Sequence, residues 1–112
     1  MIRTIVALCC LLGTFLVIAA HAGPAMTVYT ATFPPSNAQA VCIAGARIAL
    51  NESGFELADA GDGPTVFGRN INYTASVTCN SRAGFAVIAV AGRDMDEAHH
   101  YAGWIQDKIL GR

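Results

Sequence analysis

The sequence predicts an α+β domain: a β-α-β-β-α two-layer sandwich, with a small mixed sheet of strand order 1-3-2 and two helices on one face. Three observations predict it. Residues 73–79 alternate apolar and polar side chains, residues 85–91 are apolar on both faces, and apolar residues recur at helical spacing after Ser36 and after Asp94. A right-handed crossover from the first strand to the second, with the third inserted between them, places both helices on the same side.

The chain opens on "MIRTIVALCCLLGTFLVIAAHAGPA". Arg3 supplies a positive start, Ile5 to Ala20 is almost wholly apolar, and Ala20 and Ala22 are the small residues a signal peptidase reads. Residues 1–22 are therefore expected to be a cleaved signal peptide and 23–112 a single α/β domain. The competing expectation is a retained anchor, since the run approaches the roughly 20 residues needed to span a bilayer. Small residues and a Gly-Pro turn end it without a charged flank, so no stable membrane span is expected after cleavage.

Met26 to Phe33, "MTVYTATF", is β-branched and aromatic, and Pro34-Pro35 stops it, giving a first strand. Ser36 with Gln39 three residues on reads as a capping box. The helix it opens is expected to bury Val41, Cys42, Gly45, Ile48 and Ala49, to turn Arg47 and Asn51 outward, and to end with Gly54 as the residue past its cap. Glu56 to Pro64 reads as a turn-rich, mobile connection. Its Asp59-Ala60-Gly61-Asp62-Gly63 has a faint likeness to a calcium loop but lacks the oxygen ligands of one. "TVFGRN" is a short extended piece, a bulge or an edge strand.

In "NYTASVTC", Tyr73, Ala75, Val77 and Cys79 share the inward face, while Thr74, Ser76 and Thr78 share the other. "NSRAG" makes a hairpin loop, and "FAVIAVA" belongs in the interior of a sheet. Asp94 or Asp96 caps a last helix whose stripe is Ala98, Tyr101, Ala102, Ile105 and Ile109, with Lys108 and Arg112 suiting its C-terminal end. Trp104 falls off that stripe; it is expected to pack on the sheet edge, the alternative being a partly exposed anchor.

Without residues 1–22, six basic residues face eight acidic ones, a net charge of −2. That balance is not the footprint of a nucleic-acid binder. Of four cysteines, Cys9 and Cys10 leave with the signal, and Cys42 and Cys79 remain. Both are expected to point between helix and sheet, and an even count in an exported chain predicts a disulfide between them.

Val66-Phe67-Gly68, Tyr73-Thr74-Ala75, Cys79 and Val90-Ala91-Gly92, followed by an acidic helix start and Ala98, give the chain a resemblance. About the C-terminal half of residues 23–112 resembles an uncharacterised family of small secreted bacterial α/β proteins. The resemblance implies a periplasmic domain and brings no known activity.

Asp94-to-His100 contains "DEAH", the letters of a helicase motor. No G-x-x-x-x-G-K-[ST] accompanies it, and the chain is too short for a motor, so these acids belong to a helix start. Asp96 and His100, four apart, share a helix face and could touch one metal ion, with His99 about 100° round. No G-x-S-x-G is present, and no Ser, His and Asp are spaced as a triad. No catalysis and no cofactor are expected. The expected function is that of a periplasmic or secreted accessory module that binds a protein or peptide, on a face carrying Thr74, Ser76 and Thr78 beside Arg82 or Arg93. The alternative is a weak metal-handling protein using Asp96, His99 and His100. Asn51-Glu52-Ser53 and Asn72-Tyr73-Thr74 would accept glycans only in a eukaryotic host.

Overall fold

The computed structural model describes residues 24–58 and 63–112. The expected signal peptide and most of the calcium-like turn lie outside the described residues. The elements are β1 (Ala25–Thr32), α1 (Gln39–Glu52), β2 (Glu56–Ala58), β3 (Thr65–Arg69), β4 (Tyr73–Asn80), β5 (Phe85–Gly92) and α2 (Met95–Ile109). The strands form one sheet of order β1-β5-β4-β3-β2 in which every neighbouring pair is antiparallel.

The expected β-α-β-β-α sandwich with a mixed 1-3-2 sheet is thus corrected to a five-stranded antiparallel sheet with two helices. The difference is β2 and β3. β2 has three residues, too few for alternation to register, and lies in what the sequence presents as a turn. β3 is no edge: Leu57 pairs with Gly68 on one side, and Gly68 with Ala75 on the other. Gly68 serves close packing there, because a Cβ on it would stand 2.9 Å from Cβ of Phe55. The crossover through α1 therefore delivers the chain to the far edge, and three antiparallel connections bring it back beside β1.

Register decides what the helices cover. Thr27 and Ala31 of β1, Ala86, Ile88 and Val90 of β5, Tyr73, Ala75, Val77 and Cys79 of β4, and Val66 of β3 are buried on one face. α1 packs over β2, β3 and β4, α2 packs over β1 and β5, and the helices also touch each other. Phe55, Leu50, Ile88, Ile105, Val77 and Val90 are the largest fully buried side chains. At β5, Gly92 is required by its neighbour: a Cβ there would collide with the Tyr73 ring and the Asn72 carbonyl.

α1 departs from expectation in two ways. Its buried residues are Ala46, Ala49 and Leu50, with Cys42 and Ile43 partly buried, whereas Val41 and Ile48 are 71% and 58% exposed. The helix is apolar nearly all round, so periodicity alone does not choose its face; the Cys42 tether does. Ser36 and Gln39 do not form a capping box. The helix begins at Gln39 with Ala38 as N-cap and no side-chain cap. Gln39 instead ties the helix to the β4–β5 turn, donating to the Cys79 carbonyl at 2.8 Å and accepting from Ser81 N–H at 2.9 Å. The C-terminal end follows the sequence: Gly54 has φ +88°, a backbone conformation that suits glycine past a helix cap.

Cys42 and Cys79 form a disulfide with a Cα–Cα distance of 6.1 Å, joining α1 to β4. Such a bond persists in an oxidising compartment. Among the described residues, no helix is long and apolar enough to cross a membrane.

Candidate interaction surface

The two helices cover one face of the sheet, and the register gives the composition of the other. β1 contributes Met26, Val28, Thr30 and Thr32; β5 contributes Phe85, Val87, Ala89 and Ala91; β4 contributes Thr74, Ser76, Thr78 and Asn80. β3 and β2 add Thr65, Phe67 and Arg69 beside Glu56 and Ala58. Met26 is 60% exposed, Val28 55% and Phe67 40%.

This face is graded. Its β1–β5 half is apolar, and its β4 row is hydroxyl-bearing. Its charges, Glu56 and Arg69, sit opposite each other at the far rim. Thr65 and Thr78 satisfy each other through their hydroxyls at 2.8 Å. A largely uncharged sheet surface of β-branched and small side chains can make van der Waals contact over a wide area at little desolvation cost.

The expected polar row of Thr74, Ser76 and Thr78 does lie on this face. The arginines expected beside it do not join it. Arg93 turns to α2, its Nη2 3.5 Å from Glu97 Oε1, and Arg82 lines a polar groove with Ser36, Asn37 and Asn80 at the β4–β5 turn. Met26, Val28, Phe67 and Arg69 were not foreseen. The alternation of residues 26–32 carried the signal, but it does not say which face the helices take.

On the helix side, Asp94 caps α2 by accepting from Asp96 N–H at 2.7 Å and Glu97 N–H at 3.3 Å. The "DEAH" letters thus open a helix, with Asp96 and Glu97 in its first turn. Tyr73 donates its hydroxyl hydrogen to Glu97 Oε2 at 2.5 Å and accepts Asp94 N–H at 3.1 Å. Burial, and after it the hydrogen bond to Glu97, raises the Tyr73 pKa above its ordinary 10.0.

Asp96, His99 and His100 are not gathered. His99 Nδ1 lies 3.0 Å from Thr27 Oγ1 and 3.2 Å from the Tyr29 hydroxyl, and His100 stacks on Trp104 with ring centroids 6.3 Å apart. Among the described residues no group of three or more His, Cys, Asp or Glu side chains is placed to hold a metal ion. Trp104 corrects the expectation of edge packing. It is 55% exposed, its ring perpendicular to that of Tyr101 at 5.6 Å. The chain matches no protein-family model, and no curated protein matches it.

Proposed function

We propose that this is an exported, non-catalytic domain, working in the periplasm or outside the cell, that holds a protein or peptide partner on the open face of its sheet. The observation that carries the reading is that face itself: five strands that, among the described residues, are covered by helices on one side only, with Met26, Val28 and Phe67 exposed on the other. Met26 and Val28 lie side by side on the apolar β1–β5 half, and soluble proteins rarely gather exposed apolar side chains on one face without a use. The Cys42–Cys79 bond supports an oxidising site of action, and the apolar leader supports export. The partner's contact surface is expected to be apolar opposite the β1–β5 half and uncharged, with a charged group of either sign only where Glu56 and Arg69 lie.

The test is capture from extract of the export compartment with the protein tethered through α1. Ala89 lies midway along β5 between Val28 and Ser76, so Ala89→Arg sets a charge in the apolar half of the face with its chain free to reach solvent. The same partner should be recovered with the native protein and with Arg47→Glu, on the opposite side, and lost with Ala89→Arg. Recovery undiminished by Ala89→Arg contradicts the assignment.

A further inference from the structure

The two edges of the sheet are built differently. β2 closes one edge with three residues and a carboxylate, Glu56, the short charged form that discourages further pairing. β1 closes the other with eight residues, Ala25–Thr32, without a charge, a proline or a break in its ladder to β5. Phe33 donates its N–H to the Gly84 carbonyl at 2.9 Å, so odd-numbered residues of β1 turn their backbone groups toward β5. Met26, Val28, Thr30 and Thr32 therefore turn theirs outward. Gln106 Nε2, which donates to the Thr30 carbonyl at 2.9 Å from α2, agrees with that direction. Among the described residues no partner meets the outward N–H groups of Met26, Val28 and Thr30.

α2 adds a second observation. His99 contacts Thr27 and Tyr29, and Gln106 contacts Thr30, so the helix face through residues 99, 103 and 106 runs along this edge. Gly103 stands between those two contacts, and a Cβ on it would meet nothing within 4 Å. Glycine inside a helix costs about 1 kcal/mol relative to alanine. No contact among the described residues requires it, whereas the close approach of another backbone would.

We propose that β1 pairs antiparallel with β1 of a second copy, joining two sheets into one and bringing the two α2 helices together near Gly103. A second copy fits because the strand is uncharged: a two-fold axis at Val28 sets Val28 against itself and Met26 against Thr30, with no like charges opposed. The pairing is closed, so it stops at a dimer. It uses the edge and is independent of what the open face binds.

Sedimentation equilibrium of the exported protein tests it, with two variants. Thr30→Pro removes an outward N–H and leaves the β5 ladder intact. Gly103→Gln fills open space in the single molecule and favours the helix, but blocks the second helix. The native protein should dimerise at micromolar concentration, with the Val28 and Thr30 amides protected from hydrogen exchange. Each variant should weaken the dimer at least about tenfold, and Gly103→Gln should melt no lower than the native protein. A native protein that stays monomeric with those amides exchanging freely, or a dimer indifferent to both variants, overturns the proposal.

Discussion

Tyr73 concentrates several of the molecule's constraints in one side chain. Its ring occupies the space that the missing side chain of Gly92 leaves, and its hydroxyl fixes the start of α2 through Asp94 and Glu97. Gly92→Ala should cost roughly 2 kcal/mol or more, since the added Cβ meets the Tyr73 ring and the backbone carbonyl of Asn72 at once; chemical denaturation measures it, and a loss within error of zero would mean that ring and backbone move freely. The raised pKa has its own consequence. The unfolded chain releases the Tyr73 proton near pH 10 while the folded chain retains it, so unfolding sheds a proton above that pH. The contribution is intact below about pH 10 and is lost as pH climbs beyond it. Denaturation midpoints followed upward from pH 9 should therefore fall more steeply in the native protein than in Tyr73→Phe; parallel slopes would show that this hydroxyl titrates alike in both states.

At the scale of elements, the disulfide and the α2 cap carry the clearest expectations. Joining residues 37 apart in sequence, the Cys42–Cys79 bond limits the unfolded chain, an effect worth about 4 kcal/mol on the chain-entropy account. Reduction should lower the unfolding midpoint by well over 10 °C for a domain of this size, and an unchanged melting curve would exclude the bond from the folded protein. Asp94→Ala should cost about 1 kcal/mol through two lost cap bonds. These features were legible because each has a local cause: an acid before a helical stripe, a cysteine on an alternating row, a glycine past a helix end. Strand β4 was legible for the same reason. α1 was not. Val41, Ile43 and Ile48 are equally apolar, so its orientation depends on Gln39 and Cys42 reaching partners about 40 residues away. β2 was not legible either, because three residues between turns gain strand character only from β3.

The whole molecule turns on what the sheet leaves uncovered. The sequence tells which residues share a face of each strand, but the choice of face belongs to the packing of α1 and α2. For that reason Thr74, Ser76 and Thr78 were foreseen on the open side, while Met26, Val28 and Phe67 beside them were not. The two helices cover one side of the five strands, and the remaining face runs from an apolar β1–β5 half across the hydroxyl-bearing β4 row to the charges at its far rim. A photoreactive side chain at position 89, irradiated in the native compartment, tests this most directly, with the same group at exposed Arg47 as its control. Position 89 should give one discrete adduct, of a mass other than twice the chain, and position 47 should give none. No adduct at 89, or the same adduct from both positions, would contradict a binding role for the open face.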